Sequence, residues 1–99
     1  MRKEKLHIIC SRKYLYKSGT IYYFFKAHKK YEQSIIVNFT NDKGDISFQF
    51  TDLSTEENKE FKEPGEYVFP LIKEHKYKII IKTSGACGSH KIYKKTIKE

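Results

Sequence analysis

Hydrophobic and polar residues alternate with a period of two along most of this 99-residue chain. The alternation is clearest from Asp45 to Thr51, where Ile46, Phe48 and Phe50 are separated by polar residues. A period of two predicts a β-strand with one buried face. By the same pattern, further strands are predicted at 5–10, 20–26, 33–40, 67–72, 77–82 and 90–97.

Turn-forming residues separate these strands. Asn41 to Gly44 predicts a hairpin turn in which Gly44 adopts a positive φ, and Pro64-Gly65 predicts a second turn. The small residues from Thr83 to Ser89 predict a loop. Seven strands, or eight, at a spacing of roughly ten residues are typical of a single antiparallel β-sandwich.

The segment from Asp52 to Lys62 departs from the alternation. Ser54 and Glu57 have the spacing of a capping box, in which each side chain bonds to the other residue's backbone. We therefore expect one short helical turn, or a mobile acidic loop, near 54–61 within an otherwise all-β fold.

The last third of the chain resembles immunoglobulin-like and fibronectin type III-like sandwiches. Leu71 lies six residues before Tyr77, which opens a run of alternating aliphatics, as at the tyrosine corner of those domains. Residues 85–92 also resemble the closing hairpin of small β-sandwich domains in bacterial envelope proteins. The resemblance implies an immunoglobulin-like fold in which Tyr77 and Leu71 have structural roles. Gly65 and Gly44 are assigned structural roles from the turns predicted above.

Composition fits one domain covering residues 1–99, because a chain of this length can bury a single core. The 8 Tyr and 7 Phe supply most of the large side chains for that core.

The net charge of the chain is +8, but it is unevenly distributed. Residues 42–66 carry eight acids and three bases, a net charge of −5, and the rest of the chain carries +13. Two copies could associate through this acidic segment and the basic remainder.

The N-terminal residues lack the apolar run of a signal peptide, which predicts a cytoplasmic protein. If the chain is a fragment of an exported protein, the location is extracellular or the cell envelope. No stretch reaches the ~20 apolar residues of a membrane span.

Cys10 and Cys87 are far apart in sequence, so the sequence leaves open whether they pair.

Metal and cofactor chemistry has no sequence signature here. The four histidines and two cysteines show no zinc-ligand spacing, and the acidic positions match no EF-hand loop. Asp42, Asp45 and Asp52 supply oxygen ligands of the kind calcium takes, but their spacing does not match that loop. We expect no metal and no cofactor.

One thiol arrangement is a remote alternative for catalysis. Cys87 lies in a glycine-rich segment three residues before His90, so a thiol hydrolase could use Cys87 as nucleophile and His90 as base. The surrounding residues do not form a nucleophile elbow, and a small thiol filling a turn explains Cys87 equally. We expect no enzymatic activity and assign no catalytic residue.

Lysines dominate the predicted surface of the C-terminal strands. The partner-binding candidates are Lys73, Lys76, Lys78, Lys82, Lys91, Lys94 and Lys95. Lysines interleaved with tyrosines can follow a phosphate backbone, so nucleic-acid binding is the alternative function. Against it, lysine outnumbers arginine 18 to 2, and arginine is preferred for base and phosphate contacts.

The sequence thus favours a non-enzymatic interaction module that recognises another macromolecule, foremost a protein. The small size, basic charge and composition are also typical of phage or mobile-element accessory proteins, including inhibitors of host components. Recognition through loops or a sheet edge is the expected mechanism.

Overall fold

Period-two alternation gives strands throughout the computed structural model, which describes residues 3–98. No helix occurs within that range. The antiparallel strands are β1 (Lys3–Lys26), β2 (Glu32–Asp52), β3 (Glu57–Phe61), β4 (Gly65–Leu71) and β5 (Lys76–Lys98). The all-β prediction is confirmed.

Three of the strands are long and bent. At about 3.3 Å per residue, the 24 residues of β1 would span roughly 80 Å if straight. The longest dimension of the molecule is only 44 Å. β1, β2 and β5 therefore fold back near their midpoints, and each contributes to two layers.

The pairing defines the two layers. β5 lies between β1 and β2 along its whole length, from the Lys3–Lys98 pair to the Lys26–Lys76 pair on the β1 side. The first layer adds β4, which pairs with Gln33 to Phe39 of β2. The second layer adds β3, which pairs with Phe48 to Asp52 of β2. Each layer thus has four neighbouring strand segments, eight in total, as in a sandwich.

Two predicted connections are wrong. Asn41 to Gly44 is not a hairpin turn, because the segments on either side pair with β5 rather than with each other. The predicted loop at Thr83 to Ser89 is likewise part of β5. A left-handed glycine can bend a strand as well as end it, and long-range pairing selects the bend here.

The acidic segment also differs from the prediction. Residues 53–56 form a tight turn in which the Glu56 backbone N–H donates to the Asp52 carbonyl oxygen at 2.7 Å, and 57–61 form β3. One turn of i→i+4 type is therefore present, but it does not extend beyond Glu56 and no loop covers 54–61. The capping partner is Asp52 rather than Ser54. Its Oδ1 accepts hydrogen bonds from the backbone N–H groups of Ser54 (2.9 Å) and Thr55 (3.3 Å), and its Oδ2 lies 2.8 Å from His75 Nδ1.

Replacing Asp52 by asparagine is expected to lower the free energy of unfolding by about 1–2 kcal/mol at pH 7, because charge-assisted hydrogen bonds are lost. Burial alone would raise the pKa of Asp52, but the bonds from His75, Ser54 and Thr55 outweigh it and the pKa is lowered. The stabilisation by ionised Asp52 is therefore complete above its pKa in the unfolded chain, about 4. It is lost as pH falls through the lower pKa that Asp52 has in the folded protein. Urea unfolding at pH 7 and pH 3 checks this, since the wild-type advantage should shrink at pH 3. An advantage equal at both pH values would contradict it.

The core lies between the two layers. Phe39 and Phe48, on opposite sides of the bend in β2, have ring centroids 4.5 Å apart, and Phe50 stacks on Phe69 of β4 at 4.4 Å. The fully buried large side chains alternate along the long strands: Ile35, Val37, Phe39, Phe48, Ile79, Ile81, His90 and Ile92. The inner face predicted for 45–51 is the observed one.

Two of the predicted structural residues, Leu71 and Tyr77, lie on either side of the connection between β4 and β5. The Tyr77 hydroxyl accepts a hydrogen bond from the backbone N–H of Ile72 at 2.7 Å, so the ring spans back to the end of β4. Leu71 packs half-buried against the core. Gly65 begins β4 opposite Phe39 with φ 148°.

Candidate functional site

The bends of the three long strands lie side by side. We call this region the bend; it comprises 14–19 of β1, 41–45 of β2 and 84–88 of β5, where the registers are irregular. Lys17 pairs with Ala86, and Lys43 pairs with Cys87, so the three irregular segments are direct neighbours. Irregular strand positions re-aim side chains, which makes the bend a candidate site.

Glycines allow the backbones to approach closely at the bend. Gly44 has φ 76°, and a Cβ there would overlap the Gly85 carbonyl group and lie 2.6 Å from the Ser84 carbonyl oxygen. A Cβ at Gly88 would overlap the Thr40 carbonyl oxygen. The bend is therefore a closely packed platform.

Leu15 and Tyr16 project from this platform. Leu15 is 80% exposed and Tyr16 is 67% exposed, and Tyr16 has a left-handed φ of 49°. The Tyr16 backbone N–H donates to Cys87 Sγ at 3.4 Å, and the Gly85 N–H donates to Ser18 Oγ at 2.9 Å. These bonds tie the projecting segment of β1 to β5.

Basic residues flank the projection. Arg12, Lys13 and Lys17 lie within three residues of Leu15 along β1. We call Leu15 and Tyr16, together with these three bases near them along β1, the apolar projection. Such an arrangement fits a partner surface with an apolar pocket and an acidic border.

The structure divides the lysines proposed from the sequence. Lys78 and Lys82 alternate with buried residues of the second layer, so they lie on its outer face. Lys91 and Lys95 lie on the outer face of the first layer by the same alternation. Because the inner faces pack together, these two pairs point in opposite directions. A single basic surface for nucleic acid is therefore not assembled from them.

Lys73, Lys76 and Lys94 occupy other places. Lys73 belongs to the β4–β5 connection, and Lys76 begins β5. Lys94 faces the interior, with Nζ 5.7 Å from the ring centroid of Phe25, and its burial lowers its pKa.

His90 contacts Cys10 rather than the Cys87 proposed from sequence. Its Nε2 lies 3.4 Å from Cys10 Sγ and 3.3 Å from Tyr23 Oη. Burial lowers the pKa of His90 to about 4, and burial raises the pKa of the Cys10 thiol. A catalytic thiolate–imidazolium pair needs both shifts reversed. The geometry gives the thiol-hydrolase alternative no support.

The two cysteines are free, and both lie partly buried. Cys10 pairs across β1 and β5 with Ile92, five residues beyond Cys87, so roughly 16 Å of strand separates their positions. A disulfide needs Cα atoms within about 7 Å.

The calcium arrangement is not assembled. Asp42 and Asp45 lie at the bend, whereas Asp52 ends β2 and is bonded to His75. Across residues 3–98, no group of three or more His, Cys, Asp or Glu side chains is placed to hold a metal ion.

Within residues 3–98, no helix could cross a membrane.

The exposed residues Leu15 and Tyr16 were not singled out as a pair by sequence reasoning. The tyrosines of this segment entered only as part of a basic, aromatic surface. Tyr14, one of them, is in fact buried against His90, with ring centroids 5.2 Å apart. The available signal was the run of three large residues, Tyr14 to Tyr16, between Lys13 and Lys17.

The chain matches no protein-family model and no curated protein sequence. Solved structures resemble it, among them the crystal structure of Aeromonas hydrophila PliG, a periplasmic lysozyme inhibitor of g-type lysozyme. The likeness covers 98% of this chain and 86% of PliG, with a TM-score of 0.50 and 13% sequence identity. At this identity the likeness concerns the fold, and it extends over almost the whole chain.

Proposed function

We propose that this protein is a non-enzymatic protein-binding module whose contact surface is the apolar projection at the bend. The observation that carries the proposal is the exposure of Leu15 and Tyr16 on a segment bonded to a closely packed platform. When a partner buries exposed Leu and Tyr side chains, binding becomes more favourable by about 25 cal/mol per Å² of apolar surface removed from water. A pre-organised segment loses little entropy on binding, so more of that gain remains as affinity.

The partner is expected to present an apolar pocket with an acidic border. Arg12, Lys13 and Lys17 would face that border and speed the encounter. The seven lysines proposed from the sequence would add to long-range attraction, although they lie on several faces. The resemblance to immunoglobulin-like domains adds only the general expectation of recognition by irregular segments between strands.

The fold suggests a first partner to test. PliG is described as a periplasmic inhibitor of g-type lysozyme, and its fold covers nearly all of this chain. We propose that this protein inhibits an enzyme of that kind by direct binding, and that it works in the cell envelope rather than the cytoplasm. Lytic activity of g-type lysozyme, measured with and without the protein, tests the specific proposal.

The double variant Leu15→Asp with Tyr16→Ala is expected to weaken partner binding at least about 100-fold, because central apolar anchors carry most of the binding energy. Leu6→Asp is the matched control, since Leu6 is also exposed but pairs with Lys95 and therefore lies on the outer face of the first layer. Affinity purification with nuclease-treated lysate identifies the partner by mass spectrometry, and the purified pair is then measured by biolayer interferometry.

Equal binding by the wild type and the double variant would contradict the assignment of the surface. If lysate components bind the immobilised protein only when the lysate has not been treated with nuclease, the result would instead support the nucleic-acid alternative. Loss of binding with Leu6→Asp alone would move the contact surface to the first layer.

A further inference from the structure

The edge of β1 in the second layer lacks the features that usually prevent strand pairing. β1 pairs with β5 on one side only, so alternate residues direct backbone N–H and C=O groups away from the sheet. From Thr20 to Lys26 the register is regular, and residues 20–25 contain no charge and no proline. Natural edges are usually protected by charge, proline or bulges.

The other edges of the sheet are protected. The first-layer part of β1 carries Lys5, Arg12 and Lys13 and has a register irregularity between Ile8 and Cys10. On the opposite side, β4 contains Pro70, and β3 contains charged residues at Glu57, Lys59 and Glu60. The Thr20–Lys26 edge is therefore open, while the edges that could extend a chain of copies are closed.

Two aromatic side chains lie on the outer face at this edge, and the neighbouring β5 residues on that face are Lys78, Ile80 and Lys82. Tyr22 and Phe24 are 57% and 67% exposed, and their rings stack with centroids 6.5 Å apart. A shallow groove of about 300 Å³ adjoins Phe24, with Phe25, Leu53 and Tyr77 as its other apolar lining residues and Lys26 and Lys76 as its basic ones. Burial of these side chains would add to the free energy of backbone pairing.

We propose that two copies of this protein pair along Thr20–Lys26, antiparallel and related by a two-fold axis at Tyr23. This register places Tyr22 of one copy opposite Phe24 of the other, and Thr20 opposite Lys26. It brings no like charges opposite each other and joins aromatic side chains across the new strand pair.

A second copy fits this edge better than an unrelated strand because the segment is complementary to itself. A contact that uses the same patch on both copies closes after one event, so it gives dimers rather than filaments. The pairing joins the second layers of the two copies into one eight-stranded sheet. It leaves Leu15 and Tyr16 outside the paired segment, so dimerisation and the proposed partner binding can fail independently.

Sedimentation velocity between 1 and 200 µM tests the proposal. We expect a monomer–dimer equilibrium with a dissociation constant on the order of 10 µM, because an interface of this size is small. Hydrogen–deuterium exchange should show protection of Ile21 to Phe25 that increases with protein concentration. A monomer at 200 µM would overturn the proposal.

Phe24→Lys is expected to weaken the dimer at least about tenfold, since it places a charge in the aromatic contact. Tyr22→Lys should act in the same way and serves if Phe24→Lys lowers the melting temperature. Val68→Lys is the matched control, because Val68 is 55% exposed on the outer face of the first layer, and it should leave the dimer intact.

Salt separates this dimer from association between the acidic segment 42–66 and the basic remainder. A dimer held by backbone pairing and aromatic contact should persist in 1 M NaCl, where the Debye length is about 3 Å. Dissociation in 1 M NaCl, or loss of the dimer with Val68→Lys, would overturn the edge assignment.

Discussion

Replacing Gly44 by alanine is expected to lower the free energy of unfolding by about 3 kcal/mol. A left-handed φ costs a non-glycine residue about 1–2 kcal/mol, and forcing a methyl group into a packed position costs about 1–3 kcal/mol more. Both costs apply at Gly44, where φ is 76° and a Cβ would overlap the Gly85 carbonyl group. Domains of this size have only about 5–15 kcal/mol of stability, so urea unfolding should show a clear shift of the midpoint.

Two other glycines at the bend serve as controls. Gly85 has a similar φ of 59° but open space around a Cβ, so Gly85→Ala should cost only about 1 kcal/mol. Gly88 has no left-handed φ but would overlap the Thr40 carbonyl oxygen, so Gly88→Ala isolates the steric cost. If Gly44→Ala and Gly85→Ala have equal effects, the close approach of β2 and β5 at the bend is not tight.

Replacing Phe48 by alanine is expected to cost about 4 kcal/mol, the usual result for a buried phenylalanine. Phe48 has no exposed surface, and its ring lies 4.5 Å from that of Phe39 and 5.3 Å from that of Phe61. Removing the ring would leave a cavity between the two layers. Calorimetric and denaturant unfolding should both report the loss.

Phe24→Ala is the matched control for Phe48→Ala. Phe24 is 67% exposed, and substitutions at exposed positions usually change stability by about 0.5 kcal/mol or less. The comparison is made at low micromolar concentration, so that the proposed dimer does not add its own stability. Similar losses at the two positions would contradict a core between the layers.

The alternation of residues predicted which side chains are buried better than it predicted how the strands connect. Ile46, Phe48 and Phe50 were assigned to the inner face from local sequence alone, and they lie there. Gly44 was expected to adopt a positive φ, and it does. Whether that glycine reverses the chain or only bends it depends on the partner strand, which lies more than 40 residues away in β5.

The candidate site was harder to predict because a strand irregularity changes which face a residue occupies. Tyr14 is buried, so strict alternation would place Leu15 outward and Tyr16 inward. The irregular register between Tyr14 and Lys17 leaves both Leu15 and Tyr16 exposed. The lysines of β5 alternate as predicted, but the fold-back sends their two groups to opposite faces.

The position of β5 between β1 and β2 has a consequence for how the chain folds. β5 is last in chain order yet central in both layers, so neither layer can be completed before its residues are available. Contacts between distant parts of a chain form slowly, since loop closure must precede them. We therefore expect one slow, cooperative folding event after synthesis of β5, with no stable intermediate that contains only one layer.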